Sequence, residues 1–268
     1  MLERERHRLI LKLVNERDIV SVGEFVELLD ASEATVRRDI NALAERGEIR
    51  RIRGGAEALH VRHHSHLSGV PFSLNQAVAV AEKRAVARAA AALIEPGESL
   101  IVTGGTTTWR LVEFLKDADL DILTNSFPIA AELLAASRCR IALPGGTIYR
   151  EQNLVLSPFE ADAIEHFAAT TLFTGAYAVG RPGLMETDPL VAQATRRFLG
   201  RAERLVVMID SRKLRARSST VVAPLERIDV LVTDEAARQE ELAPIRDAGV
   251  RVVVAPVLPE DRALENAA

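Results

Sequence analysis

One cysteine, Cys139, stands among 268 residues, so no intrachain disulfide is possible and a reducing compartment fits. No run of about 18 apolar residues occurs, the length a membrane span needs; even Ala85 to Ile94 is broken by Arg88. The opening residues Met1-Leu2-Glu3-Arg4-Glu5-Arg6 are charged and lack the apolar core of a signal peptide. A soluble cytoplasmic protein with no membrane partner is the expectation. Internal repeats and low-complexity tracts are missing too. So is a surplus of positive charge: the formal net charge is -4, which argues against binding polyanions over the whole surface. With 48% hydrophobic residues the chain can bury a substantial core, and its length suggests one small domain followed by a larger one.

Three helical patterns fill the first fifty residues. The first, roughly Glu3 to Asn15, puts Leu9, Ile10, Leu13 and Val14 on one face. The second opens at Ser21 with Glu24 three residues on, a capping box, and aligns Val22, Phe25, Val26 and Leu29. The third opens at Ser32 and aligns Val36, Ile40, Leu43 and Ala44, the spacing of one helical face; Gly47 is placed to stop it. About three residues separate the second and third, the spacing of a helix-turn-helix. Glu48–Ile52 and Glu57–Val61 then have the makings of a hairpin wing around Arg53-Gly54-Gly55. Between Arg37 and Arg53 there are six arginines against three acids. Positive charge is therefore local, where phosphates would lie. A short helix with paired arginines near its start, followed by a basic turn, suits a DNA major groove. The candidate DNA-facing residues are Ser32, Glu33, Thr35, Arg37 and Arg38 on the helix, with Arg51 and Arg53 from the wing on phosphates. A merely solvated helix face is the plainer reading of Arg37 and Arg38.

Residues 60–76 read as a polar linker carrying His60, His63, His64 and His66, with no cysteine or carboxylate close by to complete a metal site; no metal and no cofactor are expected. From Lys83 the texture becomes alternating helix and short apolar strand. Helices are predicted at 82–94, 107–116, 128–136, 160–168, 189–200 and 235–248. Strands are predicted at 99–103, 121–124, 140–143, 171–173, 205–209, 230–233 and 250–254. Such alternation means a parallel sheet covered by helices, with ligands at the strand C-termini. Four polar or glycine-rich segments fall there. The first is Thr103-Gly104-Gly105-Thr106-Thr107-Thr108, where glycines permit close backbone approach and helix-start N–H groups suit an anion. It lacks the Gly-Lys-Ser/Thr ending of a Walker loop, and a threonine-capped turn is the plainer reading. The others are Asn125 with its neighbours, Gly145-Gly146-Thr147, and Asp210-Ser211-Arg212-Lys213, whose lysine would neutralise a phosphate. Together they suggest a small polyol phosphate pocket. Trp109 and Tyr149 read as packing residues, with Tyr149 also placed to stack on a sugar.

The order of these segments resembles the DeoR family of bacterial sugar-metabolism regulators. The likeness runs from Arg8-Leu9-Ile10 through Thr35-Val36-Arg37-Arg38-Asp39-Ile40 and Arg53-Gly54-Gly55-Ala56. It continues at Glu82-Lys83, Gly105-Thr106-Thr107, Leu123-Thr124-Asn125, Gly145-Gly146, Gly183-Leu184 and Asp210-Ser211-Arg212-Lys213. The resemblance implies a winged helix-turn-helix at 1–59, the linker at 60–76, and an α/β Rossmann-like effector-sensing domain at 77–268, similar to ribose-5-phosphate isomerase and CoA-transferase folds. It also implies a repressor, released by a phosphorylated sugar, that binds double-stranded operator DNA as a homo-oligomer. Members usually carry an aspartate where this chain has Thr103, and many an acid where Tyr177 stands. Those departures argue against isomerase chemistry, because such carboxylates move protons in the enzyme relatives; a non-enzyme is expected, and a phosphosugar isomerase with an added DNA-binding domain is the alternative. Gly55-Ala56-Glu57-Ala58, Leu156-Ser157-Pro158 and Thr187-Asp188 resemble the ascorbate-utilisation branch, which implies ascorbate 6-phosphate as one candidate effector.

Overall fold

In a computed structural model of the chain, residues 3–17, 19–29, 31–52, 54–58, 71–157 and 162–263 are described. The chain divides into two compact units, Met1–His64 and Ser65–Ala268. No helix among the described residues is long and apolar enough to cross a membrane.

In the first unit α1 (Glu3–Arg17) precedes a three-residue strand, β1 (Ile19–Ser21), then α2 (Val22–Leu29), α3 (Glu33–Glu45), β2 (Ile49–Ile52) and β3 (Gly55–Ala58). Ile10, Val14, Phe25, Leu29, Val36, Ile40 and Leu43 meet in one buried cluster, each such side chain contributing about 1.5–3 kcal/mol of transfer free energy. The capping box at α2 is present: the Ser21 amide donates to Glu24 Oε2 at 2.8 Å and the Glu24 amide to Ser21 Oγ at 3.2 Å. α3 ends as expected, with Gly47 at φ 70°.

The wing differs from its prediction. Its second strand begins at Gly55, paired with Ile52, two residues earlier than expected. β3 is also the centre of a sheet in the order β1-β3-β2, because β1 pairs with it through Val20 and Ala56. Three residues are too few to leave a period in the sequence, which is why β1 escaped the reading. Gly55 belongs to the strand because a Cβ there would lie 2.3 Å from the Val20 carbonyl oxygen.

Asp39 on α3 is 2% exposed. Arg6 Nε donates to its Oδ2 at 2.7 Å, and His7 Nε2 lies 3.3 Å from Oδ1. Burial would raise the Asp39 carboxyl pKa, but the Arg6 hydrogen bond and charge, helped by His7, hold it below the ordinary value of 3.8. The pair therefore fastens α1 to α3, and its contribution is present above pH 3.8 and lost as the pH falls through the lower folded-state value.

The second unit opens with α4 (Phe72–Asn75) and α5 (Val80–Ala91). It continues through β4 (Ser99–Val102), α6 (Thr106–Trp109, running on as a 3₁₀ helix Arg110–Phe114), β5 (Asp121–Thr124), α7 (Phe127–Ala136), β6 (Arg140–Ala142), β7 (Thr147–Tyr149), β8 (Leu154–Leu156) and β9 (Ala169–Thr174). Then come β10 (Ala178–Gly180), β11 (Gly183–Glu186), α8 (Pro189–Leu199), β12 (Ala202–Met208), β13 (Thr220–Ala223), β14 (Val230–Asp234), α9 (Gln239–Asp247), β15 (Arg251–Ala255) and α10 (Pro259–Ala263). Among the described residues, seven strands form a parallel sheet in the order β15-β14-β12-β9-β4-β5-β6. Ile101, Leu172, Val207 and Leu231 face one apolar cluster while Leu100, Val102, Phe173, Val206 and Val232 face the other. Both faces are covered, so the strands read as continuous apolar runs rather than alternations.

Two features of this unit were not expected. Antiparallel pieces flank the main sheet: the hairpin β7–β8 and a sheet in the order β10-β11-β13. The linker prediction of 60–76 also changes at its far end. Residues 59–70, with all four histidines, lie outside the described residues, but Phe72 is buried against Trp109 with ring centroids 5.9 Å apart, and its amide donates to the Glu151 carbonyl at 2.7 Å. Of the helix predicted at 160–168, residues 160 and 161 are outside the described residues, and Ala163–His166 is a 3₁₀ turn. At the end of the chain, Asp261 is fully buried and accepts from Arg84 Nη1 and Arg88 Nη1, both at 2.6 Å. α10 is thereby tied to α5.

Replacing Asp39 with alanine is expected to lower the melting temperature of the first unit's transition by roughly 5 °C or more, read by calorimetry of the full chain. Glu45→Ala, on the exposed end of α3, is expected to leave it unchanged.

Candidate functional site

The exposed side of α3 gathers five of the predicted DNA-facing residues. Ser32 caps the helix: its Oγ accepts from the Thr35 amide at 3.3 Å and lies 2.9 Å from the Thr35 hydroxyl. Both hydroxyls are therefore partly committed to the cap. Arg37 donates to Glu33 Oε1 from Nη2 at 2.6 Å and from Nε at 2.9 Å. Exposed pairs one turn apart are worth only about 0.3–0.5 kcal/mol, so Arg37 can exchange this partner for another anion at little cost. Arg38 is exposed and makes no ion pair among the described residues. Arg51 on β2 donates to Asn41 Oδ1 at 2.9 Å, setting the wing against the helix. A shallow groove of about 130 Å³ lies there, lined by Arg37, Ile40, Arg51, Ile52 and the glycines Gly54 and Gly55. Arg53 lies outside the described residues.

In the second unit, β4 is followed by β5 and β6 on one side, while β9, on its other side, leads to β12, β14 and β15. The loops leaving β4 and β9 therefore part from each other, and a crevice opens at their C-terminal ends. A cavity of about 140 Å³ sits there. Gly104, Gly105, Thr106 and Thr107 form one wall, and Gly175, Ala176 and Tyr177 after β9 form the next. Met208 and Ile209 at the end of β12 close the floor, with Glu186, Thr187 and Val191 beyond them. Lys83, Asn75, Gln152, Leu154 and Lys213 complete the lining. Gly104 leaves room for Leu154, whose Cδ2 would be 2.0 Å from a Cβ placed there.

Of the predicted ligand residues, Gly104, Gly105, Thr106, Thr107 and Lys213 are brought together on this cavity. Four others support it from behind. Thr103 and Thr174 share a hydroxyl hydrogen bond of 2.8 Å, Thr108 Oγ1 donates to the Gly105 carbonyl at 3.0 Å, and Asn125 Oδ1 accepts the Gly104 amide at 2.9 Å. Asp210 is buried and accepts from Arg212 Nε at 2.7 Å. Gly145, Gly146 and Thr147 are not part of the lining. They are exposed and lead into β7, because a hairpin occupies the place where a simple strand-to-helix loop was expected. Tyr149 packs against Leu154 and Leu156, and Trp109 against Phe72, as packing residues.

Sequence reasoning missed two charged side chains. Lys83 is 1% exposed, and its Nζ donates to the Asn75 carbonyl and, at 3.3 Å, to Asn75 Oδ1. Burial pushes its pKa down from 10.5 to about 8, with the charge of Asp210 opposing. Its signal was available, since a lysine falls on the stripe Val80, Lys83, Ala87, Ala90 that the helix buries. Glu186 is the other. Burial pushes its carboxyl up from 4.5 to about 7, with the charge of Lys213 acting against that shift. The ammonium of Lys213 in turn lies 5.1 Å from the Tyr177 ring centroid. The carboxylate that lines the crevice is thus Glu186 rather than the predicted Asp210, and it comes from an antiparallel strand that the sequence did not reveal.

The lowered Lys83 pKa means that folding buries a charge at a cost. That cost is full below about pH 8 and fades as the pH climbs toward the 10.5 of an unfolded-chain lysine. Lys83→Met is therefore expected to raise the melting temperature at neutral pH, with the gain shrinking above about pH 8, in a fluorescence-monitored melt run across pH.

Comparison with known proteins follows the same division. Residues 6–62 match the family described as DeoR-like helix-turn-helix domain, and residues 78–235 the DeoR C terminal sensor domain. The HTH-type transcriptional regulator UlaR of Shigella sonnei (strain Ss046) is 33% identical over 253 residues, covering 94% of this chain and 99% of that one. UlaR of Escherichia coli O1:K1 / APEC is 32% identical over the same shares. Among solved structures, ribose 5-phosphate isomerase A from Methanocaldococcus jannaschii aligns with a TM-score of 0.36 and 16% identity, covering 49% of this chain and 52% of that one. A helix-turn-helix unit and an α/β unit with a polar crevice, each matched by its family and together by UlaR over 94% of the chain, thus have one description: the chain belongs to the DeoR family of DNA-binding transcriptional regulators.

Proposed function

We propose that this protein is a cytoplasmic repressor of a carbohydrate-utilisation operon, released from its operator by a phosphorylated sugar or sugar acid bound in the crevice of the second unit. The observation that carries the reading is the convergence of two lysines, Lys83 and Lys213, on the loop Gly104–Thr107 at the point where strand order reverses. The first amides of a helix have no carbonyl four residues back, and α6 offers such amides beside the buried hydroxyls of Thr106 and Thr107. Backbone N–H groups, hydroxyls and two ammonium groups outnumber the one carboxylate of the lining, Glu186, and together suit an anion. Ascorbate 6-phosphate is the first effector to try, with pentose and hexose phosphates beside it.

On DNA, α3 enters the major groove. Arg38 reads a base edge, Arg37 leaves Glu33 for a base or phosphate, and Ser32, Glu33 and Thr35 lie at the entering end, with Arg51 and Arg53 on the backbone from the wing. A bidentate arginine–guanine contact discriminates by about 1–3 kcal/mol, whereas phosphate contacts set affinity and register. Symmetric half-sites need paired readers, so the working form is a homo-oligomer. Effector and operator then antagonise each other reciprocally, by a coupling of typically about 1–3 kcal/mol.

A second reading, a phosphosugar isomerase with an added DNA-binding unit, is favoured by one observation. Glu186, with a pKa near 7 in a cavity with two lysines, is tuned as a general base would be. Incubation with pentose and hexose phosphates separates the two, since turnover that disappears in Glu186→Gln would establish the enzyme.

Arg38→Ala is expected to weaken binding to DNA flanking its own gene by about tenfold or more in gel-shift titrations, leaving ligand binding intact; unchanged affinity would overturn the placement of α3. Phosphorylated sugars are expected to raise the melting temperature of the wild-type protein but not of Lys213→Ala. The double variant Thr106→Ala, Thr107→Ala should still bind DNA and no longer be released by the effector.

A further inference from the structure

The crevice is not uniformly cationic. Lys83, Lys213 and the Gly104–Thr107 loop suit a phosphate, but Glu186 at the end of β11 lines the same cavity and is largely buried. Its surroundings come from several elements. The backbone of Tyr177, after β9, and its own neighbour Thr187 hydrogen-bond the carboxyl, Lys213 after β12 supplies a positive charge, and Asp188 at the start of α8 a negative one. The Ser218 hydroxyl, from the segment before β13, is taken by the Glu186 backbone carbonyl at 2.6 Å. A carboxylate in such a place accepts hydrogen bonds from hydroxyl groups, and a second carboxylate brought against it meets like charge from both Glu186 and Asp188.

We propose that Glu186 determines specificity on its side of the crevice, accepting hydrogen bonds from the effector's hydroxyl groups and excluding a free carboxylate from that side. The inference rests on the phosphorylated-effector reading and narrows it. Phosphorylated polyols, sugars and neutral sugar lactones, whose other ends are uncharged, are admitted. Open-chain aldonic acid phosphates are rejected. Such exclusion by an unmatched charge is a common way of separating ligands of the same size. Protonation of Glu186 removes its share of the repulsion, so rejection should relax as the pH falls below about 7. The phosphate's own second ionisation, near pH 6, and the protonation of Lys83, near pH 8, are met by both kinds of ligand and cancel to first order in the comparison.

The test is calorimetric titration of the full-length protein with two matched pairs. These are glucitol 6-phosphate with 6-phosphogluconate, and ribitol 5-phosphate with 5-phosphoribonate, each pair differing only in a terminal CH₂OH against a carboxylate. The wild-type protein is expected to bind at least one polyol phosphate about tenfold or more tighter than its acid partner at pH 8, with the gap closing toward pH 6. Glu186→Gln should bind the same polyol phosphate and lose both the preference and its pH dependence. Equal or tighter binding of the acid by the wild-type protein at pH 8 would overturn the proposal without touching the phosphorylated-effector reading. So would a preference that survives unchanged in Glu186→Gln. Failure of all four compounds, and of ascorbate 6-phosphate and the pentose and hexose phosphates, to bind the wild-type protein at millimolar concentration would instead overturn the phosphorylated-effector reading, and the specificity proposal with it. Because the wild-type comparison stands alone, a Glu186→Gln chain that failed to fold would leave the proposal open to refutation.

Discussion

The reversal of strand order between β4 and β9 is the constraint on which the second unit's crevice depends. Two neighbouring parallel strands send their connections to opposite sides, so no side chain from either crossover fills the space above their ends. The groups that collect there come from six stretches of chain far apart in sequence: α4–α5, the β4 loop, the β7–β8 hairpin, the β9 loop, the end of β11 and the turn after β12. The apolar clusters on both faces of the sheet hold these strand ends in place. The crevice is thus a consequence of topology, and its chemistry a consequence of which residues the loops carry.

Much of this was legible in the sequence where structure is periodic and local. The capping box at Ser21 and Glu24, the stop at Gly47 and the apolar stripes of the first helices were all readable because each depends on residues a turn apart. The first strand of the parallel sheet and its Gly104-Gly105-Thr106-Thr107 loop were readable for the same reason. What stayed hidden depends on partners distant in the chain. β1 exists because Val20 fits beside Ala56 and Gly55, and β11 because it pairs with strands on either side of it. Glu186 could not be assigned to the pocket until β11 was known. Asp39 looked like one more polar residue on a charged helix, and only Arg6 and His7, more than thirty positions away, reveal why an acid is buried there. The glycines at 145 and 146 illustrate the opposite error, since glycine after a strand marks a turn of any kind.

The two units treat buried charge differently. In the first, Asp39 has an arginine and a histidine to meet it, and burial is compensated by close pairing. In the second, Lys83 is held mainly by a carbonyl and an amide oxygen of Asn75, and Glu186 chiefly by backbone groups. Their displaced pKa values are the mark of incomplete compensation, and groups left in that state cluster where a ligand supplies the missing partner.

α5, which carries Lys83 into the crevice, is also the helix whose Arg84 and Arg88 clasp Asp261. The residue next to the pocket's buried cation is therefore neutralised by an acid 177 positions further along the chain. During synthesis, the sensing crevice lacks this support until α10 has left the ribosome, although every residue lining it is already made. A chain lacking α10 would keep the core of its first unit and lose the anchor that holds α5 at the crevice.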